Sequence, residues 1–174
     1  MGIPTLITTN TSSDAATSSF TSGITSSYDE YMFVFTDVNP ATQAHSFSFQ
    51  ANAAGESGYN ETMTTTLWRF EHDEGNTYAN LGYMDEREQA EGTGFQELIQ
   101  GPGSGADESL AGILHLFSPA STTYVKHFYS SITEYYHGDA AQNWNCAGYF
   151  NTTTAIDDIQ FKMTSGNFDG VIQM

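Results

Sequence analysis

Apolar residues recur at every second position along most of this chain, whereas the three- and four-residue spacing of a helix is almost absent. Side chains of a strand point alternately to opposite faces, so a period of two is typical of β-structure. Phe47, Phe49 and Ala51, for example, alternate with polar neighbours in a segment that ends at Gly55. Turn residues separate such segments at intervals of roughly 8–12 residues. The pattern predicts an all-β protein, a single jelly-roll-like β-sandwich of about eight to ten antiparallel strands.

A continuous apolar run at residues 31–35 is the first candidate for the core. Such a run is typical of a central strand that is covered on both faces. In residues 62–70, Trp68 and Phe70 share one face with two threonines. A tight turn is expected at residues 164–167, between the last two strands. The predicted strands after the first apolar run are residues 46–51, 62–70, 77–83, 95–99, 110–117, 124–136, 148–151, 156–163 and 171–174.

The chain reads as one domain over residues 1–174, with a distinct N-terminal segment at residues 1–27. That segment holds 14 Ser and Thr residues and a single charge, Asp14. Threonine packs well on a half-buried pleated surface. We therefore expect either two short strands there or a docking arm that becomes ordered on assembly.

Charge and cysteine content exclude several classes of protein. Four Lys and Arg against 21 Asp and Glu give a net charge of −17, so binding to nucleic acid phosphates is not expected. Cys146 is the only cysteine, which leaves no intrachain disulfide and predicts a buried, inert thiol. No basic segment precedes an apolar run, and no apolar run is long enough to span a bilayer. Neither a cleaved secretion signal nor membrane insertion is expected.

The residues supply no recognisable catalytic constellation. The five histidines include no pair at metal-ligand spacing, and His115, between two leucines, is expected to be structural. Residues 71–74 are expected to form a solvated acidic loop rather than a metal site. The chain is therefore not expected to be an enzyme, and no cofactor is predicted. Structural calcium is an open alternative at two groups of oxygen ligands, Asp157 with Asp158 and Asp37 with Asn39.

Aromatic residues are concentrated in the second half of the chain. Exposed rings beside amides are typical of sugar-binding surfaces, but alternate positions of core strands look identical in sequence, and the core is the favoured reading. If a glycan binds here, Trp144 and Tyr136 are the residues expected to hold it. Tyr135 and Tyr136 must point to opposite faces if both lie in one strand. The seven aromatic candidates are Tyr124, Phe128, Tyr129, Tyr135, Tyr136, Trp144 and Tyr149.

Four segments, residues 3–9, 28–42, 118–126 and 155–170, resemble a group of small β-sandwich proteins of marine tailed phages such as pelagiphages and cyanophages. Members of that group are mostly described as hypothetical or virion-associated proteins. The resemblance runs from end to end and implies a virion structural protein, made in the host cytoplasm and assembled on the particle exterior. Family members commonly continue past the last apolar strand, so a chain that stops at Met174 is expected to lack a final segment.

The function expected from this resemblance is a tail-associated or fibre-like adsorption protein. Capsid decoration, as a cement or head-fibre protein, is the alternative within the same class, and a carbohydrate-binding module is the alternative from another class. The expected partners are further copies of the chain, with a trimer favoured, other virion proteins and a host-surface glycan. Assembly would also cover the sheet edges that an open sandwich exposes.

Overall fold

Residues 3–174 are described by a computed structural model, in which twelve strands form two antiparallel sheets. A short 3₁₀ helix at Asp85–Arg87 is the one helical element of these residues. The strands are β1 (Thr9–Ala15), β2 (Ser18–Phe20), β3 (Glu30–Pro40), β4 (Phe47–Ala53), β5 (Met63–Asp73), β6 (Ala79–Tyr83), β7 (Gln96–Glu97), β8 (Leu110–Phe117), β9 (Lys126–Tyr136), β10 (Ala140–Phe150), β11 (Ile156–Met163) and β12 (Phe168–Gln173).

The larger sheet has eight strands in the order β1, β12, β3, β8, β9, β10, β5, β6, and the smaller has the order β2, β11, β4, β7. The predicted all-β sandwich is therefore confirmed. Ten strands have at least five residues, and only β2 and β7 are shorter. The sheets are unequal, so the smaller one cannot cover the whole of the larger. Sequence reading also identified the two weak strands β6 and β7 within the irregular acidic stretch.

One hydrophobic core joins the two sheets, and Phe161 of β11 lies at its centre. Its ring contacts five other phenylalanine rings at centroid distances of 5.1–6.3 Å. Edge-to-face and offset pairs of this kind add to the free energy gained from burying apolar area. The five rings belong to Phe20, Phe33, Phe35, Phe47 and Phe49.

One local prediction is wrong, and another holds in a different setting. The apolar run of β3 is not covered on both faces, because Met32 and Val34 point away from the small sheet and are only half-buried. Residues 164–167 turn the chain between the last two strands as predicted, but they do not close a hairpin, because β11 belongs to the small sheet and β12 to the large one. These residues turn a corner between the sheets instead. Local composition identifies such a turn, but it does not tell which sheet the next strand joins.

The outer side of the small sheet is covered by irregular chain. Every residue of β4 is buried, including the polar positions that alternate with its aromatic residues. Gln50 donates hydrogen bonds through Nε2 to the carbonyl oxygens of Glu61, Thr93 and Gly94. Loops thus satisfy the polar groups of this sheet, and the large sheet alone presents a broad uncovered face.

The N-terminal segment contains two short strands, the first of the two predicted arrangements. Its strands β1 and β2 pair with β12 and β11, one in each sheet. Residues 3–8, here called the arm, form no strand and are mostly exposed. The arm is held at its end near Thr8, where Ile7 and Thr8 donate backbone hydrogen bonds to the carbonyl oxygen of Met174.

Candidate functional site

The outward side of the large sheet is the surface without a cover, and we call it the open face. It comprises the outward side chains of β3, β8, β9, β10, β5 and β6. On the last five of these strands, none of the outward side chains is Asp, Glu, Lys or Arg. The outward residues of these five strands are Ala111, Ile113, His115, Phe117, His127, Tyr129, Ser131, Thr133, Tyr135, Ala141, Asn143, Asn145, Ala147, Tyr149, Thr64, Thr66, Trp68, Phe70, His72, Ala79, Leu81 and Tyr83.

The charged residues of these strands lie on the opposite, inward side. Lys126 is buried there, and its Nζ donates to the carbonyl oxygens of Tyr124 at 2.8 Å and Thr152 at 3.2 Å. Burial lowers the pKa of Lys126. Arg69 Nη2 lies 2.9 Å from Glu71 Oε1 on the same side. A chain with a net charge of −17 thus keeps the outward side of five neighbouring strands free of Asp, Glu, Lys and Arg.

Three rings on β8 and β9 form a stack on the open face. His115 lies 4.7 Å from Tyr129 between ring centroids, and Phe117 lies 5.8 Å from the same tyrosine. All three rings are within 25° of parallel, so they cover parts of one another's faces. Among residues 3–174, Glu30 of β3 is the carboxylate that reaches this stack, where it hydrogen-bonds to Nδ1 of His115. The expectation that His115 is structural agrees with these contacts.

Two grooves flank the ring stack. The first, the arm groove, has a volume of about 580 Å³ and lies between the arm and the β3 side of the open face. Ile3, Leu6 and Ile7 form one wall, while Met32 and Val34 lie on the other. Ile3 and Leu6 are 93% and 61% exposed, so the arm lines the groove without burying its own apolar side chains.

The second groove, the ring groove, is shallower and has a volume of about 490 Å³. Its lining includes His127 and Tyr149, whose rings lie 5.9 Å apart, and Thr64 and Thr66 of β5. The lining is therefore a mixture of rings and hydroxyl groups without a carboxylate. Such a surface can bury apolar area while it still offers hydrogen bonds.

A buried polar network lies beneath the open face, between β9, β10 and β5. Nε1 of Trp144 donates to Oε1 of Glu134 at 2.8 Å and to Oε1 of Gln142 at 2.9 Å. Oε2 of Glu134 is buried without a hydrogen-bond partner among the described residues. Burial raises the pKa of Glu134 well above its usual value, against the opposing effect of the Trp144 hydrogen bond. The arrangement stabilises a protonated carboxyl group inside the protein.

Comparison with protein-family models, curated proteins and solved structures found no match to this chain. The geometry of its own residues is therefore the basis for a functional argument. Within residues 3–174, no helix has the length and apolar character needed to span a membrane.

The aromatic residues selected from the sequence divide between core and surface. Trp144 and Phe128 are buried. The expectation that Trp144 contacts a glycan is therefore wrong. Tyr136 points inward, where its ring lies against Gly101, so it does not form the expected contact with a sugar either. Tyr124 and Tyr129 are exposed, while Tyr135 and Tyr149 lie half-buried on the open face. The opposite orientations of Tyr135 and Tyr136 agree with the prediction.

The other candidates have structural contacts. Nδ2 of Asn39 donates to the carbonyl oxygens of Gly105 and Glu108, which makes this amide a clamp on a loop. Asp157 and Asp158 are adjacent, and burial together with the charge of Asp158 raises the pKa of Asp157. In the described part of the chain, no group of three or more His, Cys, Asp or Glu residues is arranged to hold a metal ion. Structural calcium stays a prediction.

An exposed or half-buried aromatic and apolar patch lies at the β6 edge, at residues that were not among the candidates from the sequence: Trp68, Phe70, Leu81 and Tyr83. The relevant signal was present, since the alternation placed Trp68 and Phe70 on one face. To predict the patch, one would also have to know that this face of β5 points outward and that β6 extends it. Both depend on the pairing of distant strands.

Proposed function

We propose that this protein is a structural protein of a bacteriophage particle, located on the exterior at the tail, where copies assemble through the arm side of the open face. The observation that carries the proposal is that β8, β9, β10, β5 and β6 carry no outward Asp, Glu, Lys or Arg in a chain of net charge −17, which leaves Glu30 of β3 as the carboxylate that lines the arm groove. Elsewhere, approach of two copies brings carboxylates together and costs electrostatic free energy. Contact through the open face brings few carboxylates together and so lowers that cost.

The arm supports self-association as well. Its exposed Ile3 and Leu6 lie beside a groove that they do not fill. Each copy therefore offers both an apolar segment and an apolar groove, which is what a self-complementary contact between copies requires. Burying two such side chains contributes roughly 1.5–3 kcal/mol each by the usual measure of apolar transfer.

The particle setting comes from the resemblance of residues 3–9, 28–42, 118–126 and 155–170 to small proteins of marine tailed phages. A face that combines rings with hydroxyl and amide groups suits contact with a host surface, which favours an adsorption protein over capsid decoration. Capsid decoration is the alternative, and the position of the chain on the particle distinguishes the two.

The test is quantitative mass spectrometry of purified particles from the phage that encodes the chain, followed by electron cryo-microscopy. We expect the chain in many copies per particle, with its density on the tail and the arm side of the open face between copies. Density on the capsid lattice would indicate that the chain is a capsid decoration protein and not an adsorption protein. Absence of the chain from purified particles would overturn the structural role.

A carbohydrate-binding module is a second candidate, and one observation favours it. Phe70 and Tyr83 expose 46% and 63% of their surface on a part of the open face away from the arm. This location allows sugar binding and self-association on one chain.

A further inference from the structure

The strands β5 and β6 bring four exposed or half-buried apolar side chains into one patch, here called the platform. Trp68 of β5 is paired with Tyr83 of β6, and Phe70 is paired with Leu81 in the next row. Directly paired residues of an antiparallel sheet point to the same face. The platform is therefore two rows deep on the open face.

Each row continues into polar residues on β10 and β9. Trp68 is paired with Asn145, and Phe70 with Asn143. Asn145 and Asn143 are paired in turn with Ser131 and Thr133. Because strands lie about 4.8 Å apart, each row extends about 14 Å from ring to amide to hydroxyl. The platform with these amides is long enough for several sugar units.

The ring faces of the platform are free, in contrast to those of the ring stack. None of Trp68, Phe70 and Tyr83 stacks on another aromatic ring of residues 3–174. A free ring face attracts the CH groups of a sugar through dispersion and through its negative quadrupole. The platform can therefore stack on sugar rings in a way that the ring stack cannot.

The amides beside the platform are held in place before any ligand arrives. Nδ2 of Asn145 donates to Oδ1 of Asn143 at 2.8 Å, and Nδ2 of Asn143 donates to the carbonyl oxygen of Ile132. Oδ1 of Asn145 accepts no hydrogen bond from the described residues, so it is available to a sugar hydroxyl. Groups that are already ordered lose less entropy when they bind.

The negative charge of the chain favours a neutral polysaccharide over an acidic one as the ligand. The rows that form the platform hold no Asp, Glu, Lys or Arg, although Oε2 of Glu88 accepts a hydrogen bond from the Tyr83 hydroxyl at 2.8 Å at their edge. The chain as a whole is strongly anionic. An acidic polysaccharide would be repelled at long range without any cation on the platform to hold it. A neutral ligand with many hydroxyl groups meets no such penalty.

We propose that the platform binds a neutral glycan, with Trp68, Phe70 and Tyr83 stacking on sugar rings and Asn145 accepting a hydroxyl hydrogen. The proposal rests on the proposed function only for its setting, in which the glycan belongs to a host surface. The site is separate from the arm groove, so binding of glycan does not require assembly.

Tryptophan fluorescence gives a direct test, because the chain has only two tryptophans and Trp144 is fully buried. The probes are cellohexaose, laminarihexaose and mannohexaose, with an alginate hexamer as the anionic control. At least one neutral hexasaccharide should shift the emission to shorter wavelength in a saturable manner, and alginate should not. The shift should disappear in Trp68→Phe while calorimetry still detects binding.

Variants at exposed positions identify the site without endangering the fold. Tyr83→Ala and Phe70→Ala should each weaken binding by tenfold or more. Tyr124→Ala removes a ring that is 72% exposed outside the platform and should leave binding unchanged. Near-ultraviolet circular dichroism checks that every variant retains its packing.

Three results would overturn the proposal: no saturable binding of any of the three neutral hexasaccharides, equal binding in Tyr83→Ala, or stronger binding of alginate. Loss of self-association in Tyr83→Ala without loss of sugar binding would assign the platform to a contact between copies. A variant with a charged arm, Leu6→Asp, should bind the glycan as the wild type does. If the wild-type chain is missing from particles but still binds sugar, the virion role fails and this site does not.

Discussion

The indole Nε1 of Trp144 donates a hydrogen bond to Oε1 of Glu134 at 2.8 Å within the buried interior. The second carboxyl oxygen of Glu134 has no partner among the described residues, and the side chain is almost fully buried. Ionisation would cost free energy at this position, because the carboxylate would lose its hydration while only one of its two oxygens accepts a hydrogen bond in return. Glu134 is thus held in its protonated form over a wider pH range than an exposed glutamate.

This arrangement predicts a pH dependence of stability. The pKa of Glu134 in the folded protein is raised above its ordinary value of 4.5, so the folded chain binds this proton more tightly. The free energy of unfolding should therefore fall as pH rises from about 4.5 to the folded pKa. Glu134→Gln keeps the acceptor for Trp144 without the charge, and should remove this loss, worth about 1.4 kcal/mol for each pKa unit.

Urea denaturation at pH 5 and pH 8, followed by circular dichroism, measures the effect of Glu134→Gln. Glu56→Gln, in an exposed loop, changes the net charge equally and should not alter the pH dependence. A Glu134→Gln protein that is less stable than the wild type at pH 8 would contradict the account.

The phenylalanine cluster predicts a large effect of Phe161→Ala. This ring contacts five others, so its removal leaves a cavity that neighbours in two sheets cannot easily fill. The expected loss is about 3–5 kcal/mol in the free energy of unfolding, measured by chemical denaturation. Tyr124→Ala, at an exposed ring, should change stability by less than about 0.5 kcal/mol. Similar effects of the two substitutions would place Phe161 outside the core.

Close approach of strands predicts that Gly112 cannot be replaced by alanine without loss of stability. An added Cβ would lie 2.4 Å from the carbonyl oxygen of Ser131 and 2.6 Å from Cα of Ile132. Backbone atoms cannot move aside as a flexible side chain can, so β8 and β9 would have to separate. At Gly82 the nearest atom is Sδ of Met84, at 3.4 Å. Thermal unfolding should show a clear loss for Gly112→Ala and little change for Gly82→Ala; equal losses would contradict the register of β8 and β9.

Because the thiol of Cys146 is buried, we expect it to react slowly with thiol reagents. Burial raises the pKa of Cys146 well above its usual range, so the reactive thiolate is scarce and also shielded. A thiol reagent such as dithionitrobenzoate should react with the folded chain far more slowly than with the chain in urea. Rapid, stoichiometric reaction of the folded protein would show that the site between β10 and its neighbours is open.

Much of the fold follows from the alternation of residues, because a period of two identifies strands wherever one face is buried. The limits of β8 and β11 were predicted to the residue for this reason. Alternation does not say which face is inward. Trp68 and Trp144 both lie in strands with alternating patterns, yet one is on the open face and the other is in the core.

The site could be predicted less well than the fold. The open face exists because β10 pairs with β5, whose residues lie 67 to 87 positions earlier in the chain. No local signal specifies such a pairing. Glu134 illustrates the same limit, since a glutamate in a strand ordinarily points to solvent and only the packed structure places it beside Trp144.

Sedimentation equilibrium tests most directly the central claim that copies associate through the arm side of the open face. The wild-type chain should sediment as an oligomer with a mass that is a multiple of 19.0 kDa. Leu6→Asp, which places a charge on the exposed arm, should shift the population to monomer. Ser57→Asp adds the same charge to an exposed loop and should leave the mass unchanged. A monomeric wild type, or equal behaviour of the two variants, would contradict the account.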